Sequence, residues 1–261
     1  MVSISPLPAT PPKLEIVLPE VGVGQCLVWL KSGWRDLCRC PAVGFAHGIV
    51  MALFGAAIFG FAPHRFWLLA GAFSGFMLVA PVLATGLYAV SRALENGSRA
   101  DFRTVREAWQ SGDRRQMVFG VLLALAGTGW VLTSAAMITV WAPQPVNEPA
   151  DFLRHVLLGD TWLFETWVIL GGVLAAPVFA SSVIAMPMLL DRDVGVLEAV
   201  LTSWRVVMTN PLPMAAWATV IMLLTGIGMA TGLLGLIVLM PLMGHASWHA
   251  YRDLVKDAGS K

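Results

Sequence analysis

Apolar residues in this chain fall into long unbroken runs, and the short segments between those runs carry nearly all of the charge. Residues 44–62, 66–91, 117–141 and 162–190 each supply about one bilayer crossing at roughly 20 residues, and 212–250 is long enough for two. Gly226, Gly228 and Gly232 mark the turn inside that last run. Three intervening stretches change period. Residues 25–38 put Leu27, Leu30, Trp34 and Leu37 on one helical face, with Lys31, Ser32, Arg35, Asp36 and Arg39 opposite or flanking. Phe102, Val105 and Trp109 recur at the same spacing in the polar segment 92–115. Leu197, Val200, Leu201, Trp204 and Met208 do so in 191–209. Such stretches read as amphipathic helices lying in a membrane interface. The pattern predicts an all-α polytopic membrane protein with six transmembrane helices, in three repeats of interfacial amphipathic helix plus transmembrane hairpin.

The repeat has its own punctuation. Pro81, Pro177 and Pro241 each sit in an apolar run, followed at the fourth position by Thr85, Ser181 or His245 and flanked there by small residues (Ala84 and Gly86, Ala180 and Ser182, Gly244 and Ala246). Proline strands the carbonyl four residues back, here of Met77, Val173 and Ile237, and lipid cannot hydrogen-bond it. The three Pro helices are therefore expected together at the centre, with Thr85, Ser181 and His245 as interhelical hydrogen-bonding groups. At the front of the modules, Trp34-Arg35 precedes Pro41 as Trp204-Arg205 precedes Pro211, and each follows a Val-Gly-Val, at 21–23 and 194–196. A repeated unit with matching punctuation indicates modules at about 21–91, 100–190 and 194–256 within one domain, 21–256. Residues 1–20 read as a disordered cytoplasmic tail and 257–261 as a short C-terminal tail.

Composition agrees with a chain solvated by lipid: 57% hydrophobic, 13% charged, mean hydropathy +0.73. Net charge is +1, but its sidedness is what counts. With the N-terminus inside, the inner segments hold 15 Lys and Arg and the outer ones only Arg65 and Arg154. Both termini are thus expected in the cytoplasm. The proline-rich N-terminus has no basic residue ahead of an apolar run, so no secretory signal is read there.

Candidate chemistry is sparse. No span interior carries Asp, Glu, Lys, Arg or His, which argues against ion-coupled carriers, proton pumps and voltage sensors. His245 and His249 stand four apart near the inner end of the last run, and His47 near the inner end of the first; imidazoles so spaced could ligate a metal or haem, but no third ligand is visibly placed. Interfacial histidines bonded to backbone or lipid phosphate are the plainer reading. Cys38-x-Cys40, with Cys26, reads as reduced thiols. No nucleophile triad, P-loop, dinucleotide motif or carboxylate pair is present, so no enzyme, resident cofactor or nucleic-acid partner is expected.

The Pro units, the segment Trp204-Arg205 to Asn210-Pro211-Leu212-Pro213-Met214, and the ending Pro241-Leu242-Met243-Gly244-His245-Ala246-Ser247-Trp248-His249-Ala250-Tyr251-Arg252 together resemble the bacterial integral-membrane family DUF2189, over about residues 20–256. Some of its members are labelled cytochrome c oxidase subunits. The resemblance implies a bacterial inner-membrane protein, and a haem-copper catalytic core does not fit spans without histidine ligands. The expected role is a non-catalytic accessory or scaffold that binds lipid or another membrane complex, for instance a respiratory oxidase. The alternatives are a carrier or channel for a neutral or amphiphilic solute, and a metal- or haem-binding accessory using His47, His245 and His249.

Overall fold

A computed structural model describes residues 16–61, 83–111, 113–159 and 161–257. Pro81, Met77, Arg65, Asp160 and most of the expected second span lie outside the described residues. The helices are α1 (Gln25–Arg39), α2 (Pro41–Phe61), α3 (Thr85–Glu95), α4 (Phe102–Gln110), α5 (Arg114–Trp141), α6 (Pro149–Phe152), α7 (Leu163–Ser182), α8 (Ala185–Asp191), α9 (Val196–Thr209), α10 (Pro211–Ala230) and α11 (Leu236–Leu254). A single π-helical turn, Leu153–Leu157, follows α6. Ile16–Val17, expected within the N-terminal tail, instead pairs as strand β1, antiparallel to β2 (Lys256–Asp257).

Among the described residues, three helical segments are long and apolar enough to cross a membrane: Arg114–Trp141, Leu163–Asp191 and Pro211–Ala230. A fourth crossing exists if α1 and α2, which meet at 104°, count as one broken span. Length and composition thus give fewer crossings than the six expected. The second expected span falls largely on 62–82, and the second half of α11 carries His245, His249, Arg252 and Asp253.

α11 is the hub. It packs against α1, α2, α3, α8 and α10. Glycines allow this closeness: a Cβ on Gly33 would lie 2.6 Å from the Ala246 nitrogen, and one on Gly48 would collide with the Ile237 carbonyl. That carbonyl is the one Pro241 strands, and the α2 backbone lies against it at Gly48. Gly44, Gly48 and Gly55 form the inward face of α2.

The three expected interfacial helices pack in sequence around the centre: α1 on α11, α4 on α3, and α9 on α7 and α8. Their exposure patterns match. The residue seven before each Trp is open with it: Leu27 and Trp34 at 71% and 50%, Phe102 and Trp109 at 57% and 48%, Leu197 and Trp204 at 71% and 38%. The residues one before the Trp (Gly33, Ala108, Ser203) turn inward. α1 and α9 also end alike, Cys40 at φ −132°, ψ 58° and Asn210 at φ −124°, ψ 55°, each followed by a Pro that opens the next helix.

Pro241 is buried, whereas Pro177 lies on the exposed side of α7. What gathers centrally is the stretch following each Pro unit: α3, α8 and α11 all touch one another. This departs from the expected trio of kinked Pro segments.

Candidate functional site

A buried polar grouping lies where α1, α2, α3 and α11 meet. α11 supplies His245 and His249 one turn apart, and the glycine contacts seat α1 and α2 close beside them. The Asp36 carboxylate, only 4% exposed, accepts from His249 Nε2 at 2.7 Å. Ser91 Oγ shares a 2.8 Å hydrogen bond with His245 Nδ1 and also lies against Asp36. His47 Nδ1 donates to the Val43 carbonyl at 2.9 Å, which leaves its Nε2 as an acceptor. A Cβ on Gly86 would lie 2.7 Å from that Nε2 and 3.3 Å from Trp109 Nε1.

The fold therefore brings His47, His245 and His249 into one region and adds Asp36 and Ser91, which sequence reasoning missed. Asp36 reads as one more charge on an interfacial helix. Its signal is the stripe Cys26, Trp29, Gly33, Asp36, Leu37 at helical spacing, all of them buried. Among the described residues no three His, Cys, Asp or Glu are grouped as a metal ion requires. The histidines instead bond to a carboxylate, a hydroxyl and a backbone carbonyl. The arrangement can tie α1, α3 and α11 together through buried, directional contacts, the kind of interaction that fixes register.

Two of the expected hydrogen-bonding positions keep spare capacity. Among the described residues, His245 Nε2 and Thr85 Oγ1 are buried without a hydrogen-bond partner. Their counterpart Ser181 accepts from Trp204 Nε1 at 2.9 Å and donates to the Pro177 carbonyl at 2.7 Å. Of the thiols, Cys26 donates to the Pro213 carbonyl and Cys40 to the Ala100 carbonyl, while Cys38 is exposed.

Next to this grouping lies a second polar layer. Trp248 Nε1 and Arg252 Nε both donate to Glu95, each at 3.0 Å. Tyr251 donates to Asp191 at 2.8 Å and accepts from Arg192, which also pairs with Asp257 at 2.6 Å. Trp29 Nε1 donates to Asp253 at 3.0 Å. Asn210 reaches the entering chain, donating to the Pro19 carbonyl and accepting from the Val21 amide. A cleft of about 560 Å³ beside this layer is lined by Arg92, Glu107, Asp113, Arg115, Asp191 and Arg192. Arg115 spans it to Asp113 and Asp193, so its charges are largely spent on each other. Arg115 also holds the Asp113 carboxyl below the usual carboxylate range.

Apolar helices around a buried polar seam define an integral membrane protein. Residues 68–191 match the family described as "Predicted integral membrane protein (DUF2189)", the family that the sequence resembles. No curated protein and no solved structure matches the chain.

Proposed function

We propose that this protein is a non-catalytic scaffold of the bacterial inner membrane, which holds a lipid or another membrane complex, such as a respiratory enzyme, against its outer surface. The observation that carries the reading is the closure of the centre. Along α11 the neighbouring backbones approach closer than a Cβ permits at Gly33 and Gly48, and Ser91 with His245 and Asp36 with His249 bond from helix to helix. A carrier would need a polar path there, so that alternative is the weaker one. Metal or haem binding is disfavoured by the separate partners of the three histidines.

Six crossings in three modules, with both termini cytoplasmic, belong to the same proposal. Asp191 and Arg192 at the end of the α7–α8 segment bond Tyr251, Arg252 and Asp257, and Asn210 at the start of α10 bonds Pro19 and Val21. A chain that leaves this layer through α10 and rejoins it at Tyr251 needs α11 as its return. The cyclic packing of α1, α4 and α9, with their matching exposure, supports the repeat.

Purification of the full chain in mild detergent, with mass spectrometry of whatever accompanies it, tests the scaffold reading. A stable companion chain or a retained specific lipid is the expected result. Isolation as a bare, lipid-free single species counts against it.

A further inference from the structure

The three interfacial helices leave one feature that the packing does not use. Each opens an apolar stripe, Leu27 with Trp34, Phe102 with Trp109, and Leu197 with Trp204, two turns apart along the helix. Each stripe has an exposed cation beside its Trp: Lys31 and Arg35 on α1, Arg106 on α4, Arg205 on α9. None of these four has an ion-pair partner among the described residues.

The nearby acids are mostly engaged elsewhere. Asp36 is buried against His249, and Glu107 is held by Arg103 at 2.7 Å. Glu198 is exposed two turns before Arg205, which makes the α9 position the weakest of the three. Two of the Trp rings are positioned rather than loose: Trp204 Nε1 is fixed on Ser181, and Trp109 Nε1 lies close to Gly86. A half-exposed indole anchored from below, with a free guanidinium or ammonium one turn or one residue away, offers an apolar floor for acyl chains and a charge for a phosphate.

We propose that these helices form three related docking positions of unequal strength for anionic phospholipids of the inner leaflet, one per module, arranged around the α11 hub. The proposal rests on the membrane-scaffold reading and names the lipid that the scaffold holds. Charge complementarity selects the occupant, because each cation near an anionic leaflet favours binding by roughly 5-fold.

The test uses the full chain in a non-ionic detergent, titrated separately with phosphatidylglycerol and phosphatidylcholine, with bound lipids counted by native mass spectrometry. Up to three phosphatidylglycerol molecules should bind, at least several-fold more tightly than phosphatidylcholine. Arg35→Gln with Lys31→Gln should remove one of them, and Arg106→Gln and Arg205→Gln should each weaken one by roughly 5-fold. All four residues are exposed, so the variants should keep the parent's circular dichroism, and the comparison of the two lipids needs no variant at all. Equal binding of both lipids, or unchanged counts in the variants, overturns the proposal. So does displacement by millimolar inorganic phosphate, since the source would then be the free anion. If the lipids prove non-selective while a protein companion still co-purifies, the lipid proposal falls and the scaffold reading stands.

Discussion

The seam along α11 and the outer faces of α5 and α7 are built from different kinds of residue and held by different forces. On the outer helices the large apolar side chains point away from the protein: Leu125, Leu132, Val140, Ile169 and Val173 are each more than 60% exposed. In lipid that exposure costs nothing, and it leaves those faces without a packing role. Along α11 the contacts come from glycine, histidine, tryptophan and tyrosine, at backbone distance or through hydrogen bonds. Hydrophobicity thus places the outer helices in the bilayer, whereas shape and polarity assemble the centre.

The sharpest way to break this contrast is a pair of identical substitutions. Gly48→Leu drives a side chain into the Ile237 carbonyl, so the seam should fail to close, at a cost of about 3 kcal/mol or more. Gly172→Leu on α7 meets nothing within 4 Å and should shift stability by no more than about 0.5 kcal/mol. Detergent-titrated unfolding read by circular dichroism compares them, and equal effects would end the distinction.

Removal of His249 is next in size. His249→Ala strands the buried Asp36 carboxylate and should cost about 2–4 kcal/mol, with Asp36→Asn in the same background recovering part of it. Additive losses in that double variant would mean the pair is not coupled. Trp248→Phe deletes one hydrogen bond to Glu95 and should cost about 1 kcal/mol in the same assay.

The smallest effect concerns pH. Arg115 lowers the folded-state value of Asp113, so the contribution of this pair is complete above the unfolded carboxylate value near pH 4. It is lost as pH falls through the lower folded value. Asp113→Asn should remove that part of the acid limb, under about 1 kcal/mol because the pair is solvated. A steeper acid limb in the variant would contradict the sign.

The outer region was legible in the sequence and the centre only in part. Run length located α2, α5, α7 with α8, and α10, because lipid-facing positions must be apolar. The face of α1 was legible only in part: Leu27, Leu30, Trp34 and Leu37 were grouped on one apolar face, yet Leu27 and Trp34 are exposed while Leu37 turns inward with Cys26, Trp29, Gly33 and Asp36. In a membrane protein the interior is often smaller and more polar than the exterior, so an apolar stripe marks where the helix faces lipid. Among the site residues, His47, His245 and His249 were visible as near one membrane face. Their partners Asp36 and Ser91 were not, because contacts spanning 213 and 154 residues have no local period.

Those long spans matter during synthesis. α1 and α2 enter the membrane early, while the helix that covers Gly48 and bonds Asp36 is made last. At roughly 5–20 residues per second, the 213 residues separating Asp36 from His249 take about 10–40 s to translate. Throughout that interval α1 and α2 wait with a buried-type carboxylate and a bare glycine face. The nascent chain must therefore be held by the insertion machinery, or by its own interfacial anchors, until the final helix arrives to lock the ring.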